Sequence, residues 1–453
     1  MMEIQRSWCG SSALAAAWHI EDAASHVWLA LHAMQPKGSD GAGISSADGT
    51  RVYTVKKAGM LDEALPSSSL KDLPGTDAIG QIQMKAFNEQ SARLQPVIIR
   101  NQLGSFSVVY SGMSTNAPSL RASLMEQGLV FQGLSDAEVL AHLIQKADGT
   151  ITEKLLQAID ALHGSYAFVL MTKNTMYAYR SSDGLQSLWM ADCQDGVLFA
   201  SESAAFVMEL ADNLHEITPG ALVRLGKGRR DEIVVKKAAE KVCPMEAVYY
   251  SRSSSLIDGC SVHRIRQKSG KLLAKGEASQ ADLVIGVPDT AMSAAAAFAR
   301  ELHLPFEMGL IKNRYIGSTF VHPTKEQREK GMRVRLNACS SVVKGKRVFV
   351  VDDSIQKGMT ARRLCQLLKE AGAKEVHLRI CSARITDSCY FGKEYIDQKN
   401  LCAAHYSDEE LCELFKADSI RFLREEDLAS LFETETCMAC FGKKTETDLE
   451  DFA

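Results

Sequence analysis

The segment from Val348 to Thr360 constrains the fold of this chain more than any other. Val348–Val351 is a run of four apolar, mostly β-branched residues, which predicts a short buried strand. Two carboxylates, Asp352 and Asp353, follow the strand directly, and a glycine-containing polar turn comes next. From residue 360 to 371 apolar side chains recur at helical spacing. This strand–turn–helix order predicts an α/β sheet, in which ligands bind at the carboxyl ends of the strands.

The residue types of this segment indicate what it binds. Backbone N–H groups of the turn, with a helix N-terminus behind them, suit a phosphate, and paired aspartates suit a ribose diol and its metal ion. The spacing of a P-loop is absent. The segment therefore predicts a site for a phosphorylated sugar, and an ordinary strand–turn–helix with solvated acids is the alternative.

Length and charge define the class of protein. A chain of 453 residues has room for two or three domains at roughly 150 residues each. Its net charge of −4 offers no basic field for nucleic acid. No apolar run approaches the ~18 residues that span a bilayer, and Met1–Trp8 lacks the apolar core of a signal peptide. We expect a cytoplasmic protein.

The two halves of the chain differ in their pattern of elements. Short mixed strands fill the first half. In the second half, the strand Leu283–Pro288 and the helix Met292–Leu302 form one strand–helix unit, and the segment at Val348 repeats it, which predicts a parallel sheet. The charged stretch 226–241 is the predicted boundary, with a strand at Glu232–Val235.

Twelve cysteines in a cytoplasmic chain favour thiols, metal binding or catalysis over a disulfide framework. Cys437 and Cys440 form a Cys-x2-Cys pair near the C-terminus. Soft thiolates suit an iron–sulfur cluster or zinc. The pair alone is a weak signal, because zinc binding, redox chemistry and coincidence each produce such a pair.

The sequence of residues 350–360 resembles the phosphoribosyl-pyrophosphate (PRPP) loop of the type I phosphoribosyltransferases. Within them it is most similar to the amidophosphoribosyltransferases, whose loop reads Val-Asp-Asp-Ser-Ile-Val-Arg-Gly-Thr-Thr. Lys357 stands where that family has Arg, and Met359 where it has the first Thr. The resemblance implies that Asp352 and Asp353 bind the ribose diol and its metal. It implies further that the 5-phosphate is held by Ser354, Lys357, Gly358 and Thr360.

Other parts of the second half carry the same resemblance. Residues 286–290 resemble the pyrophosphate loop, and Mg²⁺ is expected near Thr290, Asp352 and Asp353. Residues 312–320 begin the segment that closes over substrate in the family, although Ser318 and Ser340 occupy positions where the family usually has Arg. The family's cluster-bearing members imply a [4Fe–4S] cluster, whose four ligands here are Cys243, Cys389, Cys437 and Cys440.

The first half resembles the family's glutaminase domain. Residues 31–38, 41–44, 135–140 and 200–203 match its segments, and Cys9-Gly10 matches the start of its mature chain. The resemblance implies that Cys9, freed by removal of Met1–Trp8, attacks the glutamine side-chain amide with its own α-amino group as base. The backbone N–H of Gly112 is expected to donate a hydrogen bond to the oxyanion, and Asp136 is expected to bind the glutamine amino group.

Several residues depart from the family pattern in the segments that bind glutamine in that family. Gln83 stands in place of an Arg that grips the glutamine carboxylate, and Ser111 in place of an oxyanion Asn. Lys37 replaces another Arg, and Gln186-Ser187 replaces an Arg-Pro pair. Losing one oxyanion donor typically costs about 10²–10³ in rate. These changes predict a glutaminase that is weak, altered or lost.

The resemblance thus implies a two-domain enzyme of mixed α+β and α/β class. After a propeptide, residues 1–8, we expect an αββα Ntn-hydrolase (class II glutamine amidotransferase) domain, 9–235. A type I phosphoribosyltransferase parallel-sheet domain with a cluster-binding C-terminal segment, 236–453, follows. The implied reaction converts PRPP, glutamine and water to 5-phosphoribosylamine, glutamate and pyrophosphate. The resemblance also implies a homo-oligomer that purine nucleotides inhibit.

Three alternatives remain open at this stage. One is a transferase that uses free ammonia and keeps a vestigial glutaminase domain. Another is a non-catalytic regulator that binds PRPP or nucleotides. The third is a cluster-based sensor, in which the four cysteines matter more than the sugar site. The intact acids Asp352 and Asp353 favour the enzyme, and the changes at Gln83 and Ser111 favour the first two alternatives.

Overall fold

The computed structural model describes residues 11–84, 94–101, 104–193, 196–206, 211–226, 228–313, 336–393 and 396–443. These residues divide into two compact units. The first takes the described residues up to Lys241 together with a short segment that begins at Cys389, and the second takes Val242–Ser388 and the described residues from Ile396 onward. None of the described helices is both long enough and apolar enough to span a membrane.

The first unit contains two antiparallel sheets. The larger has the strand order β11-β9-β10-β1-β4-β2-β3, and the smaller has the order β13-β12-β8-β7-β6-β5. The strands are β1 Ser12–Trp18, β2 Gly41–Ala47, β3 Val52–Ala58, β4 Asp77–Gln83, β5 Val97–Asn101, β6 Gly104–Ser114, β7 Gly164–Thr172, β8 Thr175–Arg180, β9 Trp189–Cys193, β10 Gly196–Ala200, β11 Ala211–Glu216, β12 Ala221–Gly226 and β13 Arg229–Val234.

Helices cover the outer faces of both sheets. They are α1 Ala23–Ala33, α2 Leu61–Ala64, α3 Ala117–Glu126, α4 Asp136–Lys146 and α5 Ile151–Ala161. One apolar cluster joins α1 to the larger sheet, a second joins α3, α4 and α5 to the smaller sheet, and a third lies between the sheets, with Leu14 and Phe199 from one and Val109 and Val169 from the other. Four layers packed in the order helix, sheet, sheet, helix confirm the predicted αββα arrangement.

The second unit is built on a four-stranded parallel sheet of order β16-β19-β20-β21, and it also contains two two-stranded antiparallel sheets, β14-β15 and β17-β18. Its strands are β14 Leu256–Ile257, β15 Cys260–Ser261, β16 Leu283–Gly286, β17 Leu310–Lys312, β18 Leu336–Ala338, β19 Arg347–Asp352, β20 Glu375–Ile380 and β21 Ser419–Phe422. Its helices are α6 Val262–Ala274, α7 Met292–Glu301, α8 Ser340–Val343, α9 Met359–Glu370, α10 Cys402–His405, α11 Asp408–Phe415 and α12 Glu425–Ala429.

The strand–helix units predicted in the second half are present. The apolar stripe of α9 buries Leu364 and Leu368 against the sheet, and the helix ends before Gly372, whose φ of +95° suits glycine. The chain therefore combines an αββα unit with an α/β unit built on a parallel sheet, as the sequence predicts. The chain divides between Lys241 and Val242, whereas the predicted boundary lies at 235/236.

Candidate functional site

The predicted sugar-phosphate site lies at the carboxyl edge of the parallel sheet. β16 pairs in register with β19, with Gly286 opposite Val351, so the loops that follow both strands leave the same edge. Thr290, in the first loop, donates a short hydrogen bond from Oγ1 to Asp353 Oδ2 in the second. Asp352 and Asp353 are 6% and 8% exposed. The structure thus brings together the three residues that the sequence assigns to diol and metal.

The two carboxyls are held in a low-dielectric setting. Burial raises the pKa of both groups, and for Asp352 the neighbouring Asp353 carboxylate raises it further, to well above its usual range. Hydrogen bonds from Thr290 and Ser354 oppose part of this rise at Asp353. Such a pair is poised for a cation or for hydroxyl donors, either of which favours the charged form.

The loop after β19 is anchored on one side and open on the other. Ile355 is 3% exposed, and the Cys402 N–H donates to the carbonyl oxygen of Gln356 at 3.0 Å. Gly358 precedes α9 in a left-handed conformation (φ +73°), where a Cβ atom would lie 2.6 Å from the Phe415 ring. The side chains of Lys357 and Thr360 are exposed at the N-terminus of α9. This combination of a helix N-terminus and exposed polar side chains suits a phosphate.

The predicted lid lies mostly outside the described residues. Lys312 is described, and its Nζ lies 2.7 Å from Asp289 Oδ2 in the pyrophosphate-type loop. Ser318 is among the residues that the structure does not describe. Ser340 opens α8 and is exposed.

A cation at Asp352 and Asp353 would need further ligands from substrate. Within the described ranges, no group of three or more His, Cys, Asp or Glu side chains could hold a metal ion by itself. Mg²⁺ is usually bound by one or two carboxylates plus substrate phosphates. The buried carboxylate pair with the Thr290 hydroxyl beside it fits that mode of binding.

The glutaminase half is described from Ser11 onward, so Cys9 lies outside the described residues. Ser11 is 3% exposed, and its carbonyl oxygen accepts from the Met84 N–H at 2.9 Å. Ser12 starts β1, and its Oγ lies 2.9 Å from Ser111 Oγ, which also donates to the Ser12 carbonyl at 3.2 Å. The Ser111 hydroxyl is therefore hydrogen-bonded to Ser12, the first residue of β1 and the second residue that the structure describes.

The backbone of β6 directs the Gly112 amide away from its neighbour strand β7. The Tyr110 N–H donates to Gln95 Oε1 at 2.6 Å, and the Ser114 N–H donates to Asp136 Oδ2 at 2.8 Å. Because N–H groups two residues apart point to the same side of a strand, the Gly112 N–H faces that side too. Tyr166, opposite Gly112 on β7, donates its N–H to Ser181 Oγ at 3.0 Å, and its carbonyl oxygen accepts from the Ser181 N–H at 2.8 Å.

The Asp136 carboxylate is placed beside this edge by the start of α4. The Ser135 side chain caps the helix by accepting from the Glu138 N–H. Asp136 follows as the first helical residue and is 3% exposed. The structure therefore brings Gly112 and Asp136, the two predicted glutamine-binding residues, to adjacent positions along one strand edge.

The positions that depart from the family pattern are structured. Gln83 ends β4, paired with Ser12 and Gly41, and it brings no charge to that edge. Lys37 forms a buried ion pair, with its Nζ 3.1 Å from Glu202 Oε1. Gln186 is 4% exposed, and its side chain is hydrogen-bonded at both ends, as described below.

Three of the four predicted cluster cysteines are linked through the backbone of the second unit. The Cys437 N–H donates to the carbonyl oxygen of Val242, the residue before Cys243, at 2.8 Å. The Cys440 carbonyl accepts from the Thr386 and Asp387 amides at 3.0 and 3.1 Å. Cys389 falls in the other unit. All four cysteines are partly buried, and four soft sulfur donors fit an iron–sulfur cluster chemically.

Sequence reasoning missed Arg266, which lies in α6 and is 4% exposed. It lines a small cavity of about 10 Å³ together with Thr290, Asp353 and Cys381. Its guanidinium donates to the carbonyls of Ala247 and Ser251, both at 2.8 Å. The sequence did carry a signal for this residue, because Arg266 lies in α6 among the apolar residues Ile265 and Leu273. A charged side chain in such a position is buried and therefore requires hydrogen-bonding partners.

Comparisons with known proteins agree with this geometry. Residues 83–208 match a glutamine amidotransferase domain, and residues 261–387 match a phosphoribosyl transferase domain. The chain is 37% identical over 443 residues to the amidophosphoribosyltransferase of Bacillus subtilis strain 168, covering 95% of this chain and 93% of the relative. It is 34% identical over 416 residues to the amidophosphoribosyltransferase of Staphylococcus aureus strain MRSA252, covering 91% and 84%.

A solved structure extends the likeness to three dimensions. The B. subtilis glutamine PRPP amidotransferase complexed with ADP and GMP superposes with a TM-score of 0.91 at 36% identity, covering 96% of this chain and 98% of that one. Both predicted domains and their order along the chain are thus accounted for together. The chain belongs to the amidophosphoribosyltransferase family, the glutamine PRPP amidotransferases that catalyse the first step of purine biosynthesis.

Proposed function

We propose that the two units divide one reaction between them. Glutamine is hydrolysed in the first unit, and the ammonia released attacks C1 of PRPP in the second, giving 5-phosphoribosylamine, glutamate and pyrophosphate. The observation that carries this proposal is the pair of buried carboxylates, Asp352 and Asp353, joined to Thr290 at the carboxyl edge of a parallel sheet and followed by the open loop at Gly358.

In the transferase half, this chain's residues bind and orient the sugar. Asp352 and Asp353 accept hydrogen bonds from the ribose hydroxyls. The amides between Ser354 and Gly358, with the side chains of Lys357 and Thr360, hold the 5-phosphate at the N-terminus of α9. Mg²⁺ near Thr290, Asp352 and Asp353 would stabilise the charge on departing pyrophosphate.

In the glutaminase half, removal of Met1–Trp8 gives Cys9 a free α-amino group, which takes the thiol proton. The thiolate attacks the side-chain amide carbon of glutamine. The Gly112 N–H, which faces the open edge of β6, stabilises the oxyanion, and Asp136 binds the substrate amino group. When the tetrahedral intermediate collapses, the C–N bond breaks, and the α-ammonium group returns its proton to the nitrogen that leaves as ammonia. Water then hydrolyses the thioester, which releases glutamate and restores the thiol.

A second candidate function is a transferase that uses free ammonia. Gln83, at the end of β4, stands where the family has an Arg that binds the glutamine carboxylate. Its side chain is uncharged and cannot make the bidentate, charged contact of a guanidinium group. The Ser111 hydroxyl is already bonded to Ser12, which leaves Gly112 to supply the oxyanion hydrogen bond from this strand segment. Both observations favour a glutaminase that is slower than that of the family's usual members.

We propose further that purine nucleotides inhibit the enzyme, that it forms a homo-oligomer and that it acts in the cytoplasm. The B. subtilis structure was solved with ADP and GMP, which supports nucleotide control in this chain. Titrating ADP and GMP into the assay described below tests the inhibition, and sedimentation velocity tests the assembly.

We also propose a [4Fe–4S] cluster on Cys243, Cys389, Cys437 and Cys440. Its role is to fix the C-terminal segment, because the hydrogen bond from Cys437 to Val242 already brings that segment beside Cys243. Anaerobically purified protein should carry iron, sulfide and brown colour, which Cys437→Ser removes and Cys339→Ser keeps. A colourless protein that holds zinc would contradict the cluster.

One assay separates the candidate functions. Formation of 5-phosphoribosylamine from PRPP is followed with glutamine and with ammonium salts in parallel. Product from both nitrogen sources supports the complete enzyme, and product from ammonium alone supports the second candidate. A protein that binds PRPP or nucleotide without forming product is a regulator, and the catalytic proposal then fails. Intact mass shows whether Met1–Trp8 is removed; if it is retained, Cys9 has no free amine and cannot be the proposed nucleophile.

A further inference from the structure

A short segment between β20 and β21 in sequence, Phe391–Lys393, belongs to the glutaminase unit. The match to the phosphoribosyl transferase domain ends at residue 387, just before it. Within its own unit the segment contacts the strand that carries the proposed oxyanion amide. Nothing in the transfer reaction requires that contact.

Gln186 connects this segment to the rest of the unit. Its Nε2 donates to the Phe391 carbonyl at 2.7 Å, and its Oε1 accepts from Lys393 Nζ at 2.9 Å. The Gln186 carbonyl accepts from Arg180 Nε at 2.8 Å. Gln186 and Lys393 are 4% and 7% exposed, so these hydrogen bonds are shielded from water and their geometry is fixed.

Gly392 lies directly against Gly112. A Cβ atom at Gly392 would lie 2.6 Å from the Gly112 carbonyl carbon and 2.9 Å from the Met113 nitrogen. A Cβ atom at Gly112 itself would lie 2.9 Å from Gln186 Cγ and closer still to the Ser165 carbonyl oxygen. The backbone of Gly112 is therefore enclosed by Gly392 and by the side chain that binds Phe391 and Lys393.

We propose that Gly392 and the Lys393–Gln186 hydrogen bond position the Gly112 amide as the oxyanion donor. They are positioning residues, because they act on glutamine only through Gly112. The inference rests on the proposed glutaminase reaction. An oxyanion donor must lie within about 3 Å of the developing charge, and displacement by about 1 Å costs roughly a hundredfold in rate. Segment 391–393 thus controls how fast bound glutamine is hydrolysed and leaves its binding unchanged.

Gly392→Ala tests the contact, and Gly128→Ala is its matched control. Both glycines have left-handed φ values, +81° and +86°, but a Cβ atom at Gly128 meets no atom within 4 Å. We expect Gly392→Ala to lower kcat for glutamate release about ten- to a hundredfold, with KM for glutamine within about twofold of wild type. Ammonia-dependent product formation should stay unchanged, and Gly128→Ala should resemble wild type in every assay.

Lys393→Met provides a second test that adds no atoms beside Gly112. It removes the donor to Gln186 and should lower the same kcat about tenfold, again without raising KM. Wild-type kcat in both variants would overturn the inference, as would equal losses with glutamine and with ammonium. Wild-type protein that releases no glutamate would overturn the glutaminase proposal and this inference together. Glutamate release by wild type and unimpaired variants would overturn only the inference.

Discussion

The Ser114 amide donates a hydrogen bond of 2.8 Å to the Asp136 carboxylate. This contact ties the first residue of α4 to the strand that carries Gly112, two residues away. The group proposed to bind the glutamine amino group and the group proposed to stabilise the oxyanion therefore share one rigid element. The distance between the Asp136 carboxylate and the Gly112 N–H is therefore fixed before glutamine binds. Little conformational entropy of these groups is lost on binding.

Asp136→Asn should weaken use of glutamine without affecting use of ammonia. The variant keeps the shape of the side chain but removes the charge, and a hydrogen bond to a charged group contributes about 1.5–3 kcal/mol. We expect kcat/KM for glutamine to fall about ten- to a hundredfold. The exposed Asp148, changed to Asn, is the control. Steady-state assays with both nitrogen sources measure the effect, and equal losses with both would contradict this role.

Asp353→Asn should impair transfer with either nitrogen source. The Asp353 carboxylate accepts from Thr290 and is proposed to contact the ribose diol and its metal. Removing one preorganised electrostatic contact of this kind lowers kcat by about a hundredfold or more. Asp282→Asn is the control, because Asp282 directly precedes β16, at the opposite end of the strand, where it accepts from the backbone and the side chain of Arg347 at a partly exposed position. Retention of PRPP-dependent activity in Asp353→Asn would refute the assignment.

Gly358→Ala should raise KM for PRPP about tenfold or more. A left-handed alanine costs roughly 1–2 kcal/mol, and here its Cβ would also lie 2.6 Å from the Phe415 ring. Gly345→Ala isolates the second effect, since Gly345 has the same φ of +73° with no atom within 4 Å of the added carbon. Gly345→Ala should lose only stability. Equal KM values for PRPP in the two variants would show that the Phe415 contact does not shape the loop.

Glu277 should make a pH-dependent contribution to stability. Burial raises the pKa of this carboxyl, but hydrogen bonds and charge from Arg379, with Arg421 and the Ser279 amide, lower it more, to about 2 from 4.5. Because the folded value lies below the unfolded one, the stabilisation is present above about pH 4.5 and is lost as the pH falls towards 2.

Comparison of wild type with Glu277→Gln isolates that contribution. The variant leaves Arg379, which is 2% exposed, without its carboxylate, and breaking a buried pair costs about 3–5 kcal/mol. Urea unfolding should show that the difference in free energy of unfolding is largest at neutral pH and shrinks as the medium is acidified. A difference that is constant from neutral pH to pH 3 would contradict the pairing.

The sugar site could be predicted from sequence because its signals are local. A β-branched run, two adjacent acids and a helical apolar stripe all lie within one short segment, and the structure places β19 at Arg347–Asp352 and α9 at Met359–Glu370. The resemblance added Thr290, and the parallel register of β16 and β19 explains why it reaches Asp353.

The contacts that the sequence did not predict are long-range and polar. Lys393 and Gln186 are 207 residues apart, and neither stands in a periodic pattern that would indicate burial. From sequence, Lys37 and Glu202 would each be expected on the surface, because charged side chains are rarely buried. In the structure they are buried together as an ion pair. Only the folded chain shows that each offsets the desolvation of its partner.

The most direct test of the central claim follows the amide nitrogen of glutamine. Protein freed of Met1–Trp8 is given PRPP, Mg²⁺ and glutamine labelled with ¹⁵N in its side-chain amide, and the product is examined by NMR. We predict 5-phosphoribosylamine with ¹⁵N bonded to C1 of the ribose, together with unlabelled glutamate and pyrophosphate. Failure to form phosphoribosylamine, or formation only when unlabelled ammonium is added, would contradict the account.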